Sequence, residues 1–100
     1  MTELEFKINK AKVELKEKII KLTSDPLWQE IIEVEYFQHE AIRLVNSIGN
    51  LQLTREHKDN LLGMMNGIPA LHNFLGRIIG DGYQAESDLE NIALDNEVDE

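Results

Sequence analysis

Imidazole and carboxylate side chains are the groups in this sequence best suited to chemistry. Histidine occurs at His39, His57 and His72, and Glu35 precedes His39 by one helical turn, so the two could offer a metal two ligands. A di-metal helical bundle requires Glu-x-x-His pairs, and the sequence contains none. It also lacks an HExxH motif, a phosphate-binding glycine loop, a serine nucleophile elbow and a calcium loop. We therefore predict surface histidines, no catalytic or metal-binding residue, no cofactor and no enzymatic activity.

The length and composition are those of one small domain. The chain has 100 residues and no cysteine, which excludes disulfides and thiolate chemistry. The opening stretch MTELEFKINKAK carries charges throughout and lacks the apolar segment of a signal peptide, and no apolar run has the length of a membrane span. We expect a cytoplasmic protein without a membrane partner.

Charge divides the sequence into two parts. Residues 1–80 hold eleven acidic and ten basic residues, whereas residues 81–100 hold eight acidic residues and no lysine or arginine. We predict a single helical domain over 1–80 and an acidic, partly disordered tail over 81–100, with a short weak helix near 85–94. Because such a tail repels phosphate, no direct nucleic-acid binding is expected.

The first segment predicts an amphipathic helix over about 3–23. Its apolar residues recur every three or four positions, at Leu4, Ile8, Ala11, Leu15, Ile19 and Leu22. So narrow a stripe is typical of a coiled coil, in which one helix packs along another. Leu4, Ile8, Leu15, Ile19 and Leu22 are therefore candidate interface residues. The intervening lysines are interpreted as a solvated face rather than a nucleic-acid site, because glutamates reduce the helix charge to about +2.

A second helix is predicted over 26–48. Asp25 is a natural N-cap, and Pro26 suits the first helical position. An apolar stripe at helical spacing is expected to face the core, together with Trp28, Tyr36 and Phe37. Its members are Leu27, Ile31, Val34, Ala41, Val45 and Ile48.

A third helix is predicted over 54–80, capped by Thr54. Its apolar residues keep one helical phase across Gly67 and Pro69, which favours a single helix kinked at Pro69 over two helices broken there. The turn before it contains Gly49 and Asn50, either of which could adopt a left-handed C-cap, and Gly80-Asp81-Gly82 is expected to end the helix. The fold class is all-α, with three main helices, the last two forming an antiparallel hairpin.

Small residues recur on the third helix. Gly63 and Gly67, followed by Ala70, form one G-x-x-x-G pair, and Gly76 with Gly80 forms another. This spacing allows another helix backbone to approach closely. A subunit interface and a helix crossing inside the monomer are equally compatible with it.

Two stretches resemble proteins of a known class. They are Asp25-Pro26-Leu27-Trp28, which opens the second helix, and Gly67-Ile68-Pro69-Ala70-Leu71 followed by Phe74-Leu75 in the third. Over about residues 24–80 the chain resembles small helical proteins encoded among the head, portal and packaging genes of tailed bacteriophages. The resemblance implies a structural or assembly role in virion morphogenesis and supplies no catalytic residues.

The sequence supports two functional hypotheses. The leading one is a helical protein that binds copies of itself or a larger assembly through the first helix or the glycine face of the third, since a chain this small gains stability from burial between subunits. The alternative is a small acidic inhibitor that mimics nucleic acid and blocks a basic partner, suggested by the eight acids after Gly80.

Overall fold

The computed structural model describes the backbone of residues 1–50 and 52–98 and the side chains up to residue 93. Within these residues the secondary structure is helical, with no strand, so the predicted all-α class is confirmed. In chain order the elements are α1 (Glu3–Thr23), α2 (Pro26–Trp28), a π-helix that we call π1 (Gln29–Glu40), α3 (Ala41–Ile48) and α4 (Arg55–Val98).

Helix α1 has the predicted bounds and favourable ends. The Thr2 hydroxyl accepts a hydrogen bond from the Glu5 amide at 3.1 Å, which satisfies one of the free N–H groups at the start of the helix. Glu3 and Glu5 lie in the first turn and Lys21 in the last. These charges complement the helix dipole.

The second helical stretch begins as predicted. The Asp25 carboxylate accepts a hydrogen bond from the Leu27 amide at 2.8 Å, and Pro26 occupies the first turn. From Gln29 to Glu40, however, the backbone is a π-helix, with hydrogen bonds between residues five apart rather than four. The α-helical pattern resumes in α3.

The π-helix changes which side chains of this stretch face inward. We predicted an inward stripe from the α-helical period, but Leu27, Ile31, Val34 and Val45 are exposed. The buried and half-buried positions instead step by four or five residues through π1 and return to three and four in α3. The apolar and aromatic members are Trp28, Ile32, Tyr36, Phe37, Ala41, Leu44 and Ile48, and the polar residues Glu33, Glu40 and Ser47 are half-buried as well. The predicted stripe is wrong at the four exposed positions, because each wide turn takes up extra residues, and it holds at Ala41 and Ile48, which are half-buried.

Helix α4 starts as predicted and ends much later. The Thr54 hydroxyl accepts a hydrogen bond from the His57 amide at 3.2 Å, and the helix runs without interruption through Pro69. It also continues past Gly80 to Val98, so the predicted stop at Gly80-Asp81-Gly82 is wrong. A left-handed C-cap requires positive φ, and no residue in the described part of the chain has it.

The same observation corrects the preceding turn. Gly49 ends α3 with φ of −68° and ψ of −7°, so neither it nor Asn50 adopts the left-handed C-cap that we expected. The Asn50 side chain instead accepts a hydrogen bond from the Gln52 amide at 3.0 Å. This is the local turn that asparagine commonly forms. The antiparallel hairpin of the last two helices stays a prediction.

The chain forms two compact units, which we describe separately. Unit 2, Thr23–Phe74, has Leu44 and Ile68 as its buried apolar side chains. Beside them the ring of Phe37 meets the ring of His72 edge to face, with centroids 5.5 Å apart. Phe37 of π1 thus packs against α4 within unit 2.

Unit 1 contains Met1–Leu22 and Leu75–Glu100. Its buried positions on α4 are three or four residues apart, as expected for a helix face that packs on another helix. They are Leu75, Ile78, Gly82 and Ala85, and half-buried Leu89 and Ile92 continue the series. The predicted division into 1–80 and 81–100 stays a prediction.

Replacing Asp25 with alanine tests the cap of the second helical stretch. The D25A variant removes the acceptor of the Leu27 amide, and we expect the free energy of unfolding to fall by about 1 kcal/mol in urea titration. The D25S variant keeps a capping oxygen and is expected to stay within a few tenths of a kcal/mol of the parent protein. Equal losses in both variants would contradict the capping role.

Candidate functional site

Helix α1 carries an exposed apolar stripe, which we call the α1 seam. Leu4, Ile8, Leu15 and Leu22 are 67%, 46%, 43% and 47% exposed, and Ala11 between them is exposed as well. Ile19, also predicted as an interface residue, is half-buried and lies at the edge of this stripe. The residues predicted for an interface therefore remain accessible within the described structure, apart from the partial cover of Ile19.

The opposite side of α1 is the one that packs within unit 1. Asn9 and Val13 are half-buried and Lys16 is buried, so the covered positions follow a helical spacing of their own. Lys16 contacts residues of α4. Helix α1 thus has two faces, and the α1 seam is the one left exposed.

Lys16 is the centre of the covered face. Only 4% of its surface is exposed, its ammonium group donates a hydrogen bond to the Glu86 carboxylate, and Nζ lies 4.3 Å from the centre of the Tyr83 ring. The Glu86 carboxylate, with a smaller contribution from nearby Tyr83, raises the pKa of Lys16 above its ordinary value. We expected the lysines of α1 to form a solvated face, and Lys16 is the exception because a carboxylate and an aromatic ring satisfy its charge.

Gly82 permits the close approach at Lys16. A Cβ atom added to Gly82 would lie 2.8 Å from Cγ and 2.9 Å from Cδ of Lys16, much nearer than carbon atoms pack. The next position on this face, Ala85, is also small and almost fully buried. The close crossing of α1 and α4 therefore depends on small residues that the sequence analysis did not select.

Three of the four glycines that we did select are open. A Cβ atom on Gly63, Gly76 or Gly80 would meet nothing within 4 Å among the described residues outside its own helical turn, and one on Gly67 would lie 3.7 Å from the Tyr36 hydroxyl. Ala70 is exposed. The crossing inside the monomer is thus at Gly82 rather than at the two G-x-x-x-G pairs, and a subunit interface at those pairs stays a prediction.

The histidines do not gather into one site. His39 lies 3.1 Å from the Glu35 carboxylate on the exposed side of π1, His72 packs against Phe37, and His57 is exposed at the start of α4. In the part of the chain that the structure describes, no group of three histidine, aspartate or glutamate side chains is placed to hold a metal ion.

A shallow cavity of about 330 Å³ beside His39 is lined by Ile31, Glu35, Tyr36 and Glu40. Arg43 forms a two-pronged ion pair with Glu40 and lowers the pKa of that carboxyl. Glu40 is therefore already paired, and the cavity lacks a converging set of available ligands.

None of the described helices is long and apolar enough to cross a membrane.

A signal for the α1–α4 contact was present in the sequence. The spacing of Leu75 and Ile78 continues through Gly82 and Ala85 to Leu89 and Ile92, without a change of phase. Reading Gly80-Asp81-Gly82 as a helix stop concealed it. The burial of Lys16 had no comparable signal, because α1 has six lysines and nothing in their spacing distinguishes this one.

Comparisons with known proteins found no match: no family model, no curated protein and no solved structure is detectably similar to this chain.

Substituting Gly82 tests the close crossing. In G82A the new methyl group overlaps the Lys16 side chain, so we expect the free energy of unfolding to fall by about 1–3 kcal/mol. G80A is the matched control, two residues away on the same helix and in open space, where alanine should stabilise the helix by about 0.5–1 kcal/mol. Urea titration of both variants measures the difference, and similar values for both would contradict the crossing.

Alkaline titration tests the Lys16 ion pair. A raised pKa means that this pair stabilises the fold fully below the ordinary lysine pKa of 10.5 and that the contribution is lost as the pH rises through the folded-state value. We expect the difference in unfolding free energy between the parent and K16M to be constant from neutral pH to about pH 10.5 and to shrink above it. Both proteins carry Y83F, which removes the phenol hydroxyl beside Lys16. K12M is the control, because it replaces an exposed lysine of the same helix. A difference that does not vary with pH would contradict the ion pair.

Proposed function

We propose that this chain is a non-enzymatic helical interaction protein that self-associates and takes part in building a larger protein assembly. The observation that carries the proposal is the α1 seam, an exposed apolar stripe on a side of α1 away from its packed face. Single exposed apolar residues are ordinary on protein surfaces, but a contiguous stripe with coiled-coil spacing is typical of a binding surface.

Burial of the α1 seam on another helix would contribute to association. Full burial of a leucine or isoleucine side chain contributes about 1.5–3 kcal/mol, and the four large residues of the α1 seam are about half exposed or more. Covering them on another helix can therefore offset part of the entropy that association costs. The helix itself is held in place by the Lys16 contact, so little ordering of α1 is needed on binding.

The open glycines supply a second surface for the proposed assembly. Gly63 and Gly76 have no neighbour that a Cβ atom would meet, and Ala70 is exposed, so another backbone could approach α4 closely at these positions. The resemblance to the small helical proteins of tailed-bacteriophage head and packaging genes suggests virion morphogenesis as the setting, with the host cytoplasm or the virion as the location.

The alternative function, an acidic inhibitor that mimics nucleic acid, has less support. Among the acidic side chains described after Gly80, Asp81 lies 3.3 Å from Arg77 and Glu86 is bound by Lys16. A mimic must present its carboxylates to a basic partner. Because two of these charges are already paired within the chain, we favour the interaction protein.

A charge placed in the α1 seam tests the proposal. L15E puts a carboxylate at the middle of the stripe, and we expect self-association measured by sedimentation equilibrium to weaken by at least about tenfold, because burying an unpaired charge costs several kcal/mol. L27E is the control, since Leu27 is an exposed leucine outside α1. A parent protein that stays monomeric up to about 500 µM, a range that includes weak small interfaces, would contradict self-association.

A further inference from the structure

We infer that the α1 seam pairs with the α1 seam of a second copy of this chain, antiparallel and in one register, with Leu4 opposite Leu15 and Ile8 opposite Ala11. This inference rests on the proposed function and specifies its partner and geometry. It follows from the charges that flank the seam, all of which lie on exposed residues.

The seam has two columns of residues and two charged flanks. Ile8, Leu15 and Leu22 are seven residues apart in one column, and Leu4, Ala11 and Lys18 are seven apart in the other. In a helix with this repeat, the charged residues beside the first column are Glu5 and Lys12, and those beside the second are Lys7, Glu14 and Lys21. Over residues 4–15 each flank thus carries one negative and one positive charge, and Lys21 lies beyond this segment.

In an antiparallel pair of identical helices, each flank meets the same flank of the other copy. With Leu4 opposite Leu15, the nearest flanking partners are Glu5 with Lys12 and Lys7 with Glu14. The two-fold symmetry repeats each ion pair, which gives four ion pairs. They flank four apolar layers, in which Leu4 lies opposite Leu15 twice and Ile8 lies opposite Ala11 twice. Every flanking contact in this register joins opposite charges.

Two other arrangements of two copies bring like charges together. A longer antiparallel register, with Leu4 opposite Leu22, places Glu14 against Glu14 and Lys12 against Lys12. A parallel pair places Lys7 against Lys12 and Lys18 against Lys18. Like charges at these positions are destabilising, which disfavours both of these arrangements. A register with Ala11 opposite Leu22 pairs Glu14 with Lys21 but places Lys18 in an apolar layer opposite Leu15, so the short antiparallel register is favoured.

The same pattern disfavours other occupants. An anionic membrane surface prefers a broad apolar face bordered by basic residues, whereas this seam is narrow and has a glutamate on each flank. A uniformly acidic or uniformly basic helix would meet a like charge on both sides. A second copy matches all four charges.

Disulfide trapping tests the register directly, because the chain has no cysteine of its own. In the L4C/L15C variant, the two thiols of one copy are about 16 Å apart along the helix, too far for a bond within the chain. We expect covalent dimers after mild oxidation, seen on a non-reducing gel. L4C, L15C and L4C/L22C should form no covalent dimer. Covalent dimers of the single variants L4C and L15C indicate a parallel pair, and covalent dimers of L4C/L22C without those of either single variant indicate the longer register. Either result overturns the inference.

Charge exchange tests the pairing with the apolar seam intact. E5K/E14K makes both flanks positive and K7E/K12E makes both negative, so we expect each variant to self-associate at least about tenfold more weakly. An equimolar mixture of the two should form heterodimers, and the quadruple variant E5K/K7E/K12E/E14K should recover self-association. K10E, at an exposed position away from the seam, is the control, and circular dichroism checks that each variant remains helical.

The outcomes separate this inference from the function on which it rests. If L15E abolishes self-association while the charge variants behave like the parent, the seam binds in another register, so the inference fails and the proposed function stands. If the parent does not self-associate, both fail. Cosedimentation of the parent, but not of L15E, with phosphatidylserine vesicles, in the absence of dimers, would assign the seam to a membrane surface and overturn the inference.

Discussion

The contact of Lys16 with Glu86 and Tyr83 sets the orientation of α1. An ammonium group in a buried position is tolerated only when its charge is satisfied, and here a carboxylate and the face of an aromatic ring do so. Because Gly82 allows the aliphatic part of the lysine to lie against the α4 backbone, the contact is close as well as charged. The Lys16 contact therefore fixes which side of α1 faces α4. As a consequence, the α1 seam stays exposed.

The parts of the fold that depend on neighbouring residues were predictable from the sequence. The bounds of α1, the caps at Asp25 and Thr54, and the continuity of α4 across Pro69 rest on spacings of a few residues, and the structure agrees with each. The exposed residues of the α1 seam were identified from the same kind of pattern.

The features that were missed depend on the rest of the chain. The stretch Gly80-Asp81-Gly82 is typical of a helix end. Gly82 nevertheless lies within α4, where the absence of a side chain allows Lys16 of α1 to lie against it. The burial of Lys16 depends on a carboxylate 70 positions away. In π1 the identity of each residue is compatible with an α-helix, so the sequence contained no local sign of the wider turn, and the inward face was assigned with the wrong period.

The wide turns of π1 have a consequence for how this protein can tolerate changes in length. A π-helix differs locally from an α-helix by added residues, so loss of one residue between Gln29 and Glu40 can be accommodated by tightening toward the α-helical form while the flanking faces keep their direction. In α1 the same deletion would turn everything beyond it by about 100° and separate the two halves of the stripe. Loss of a single residue should therefore be better tolerated in π1 than in α1.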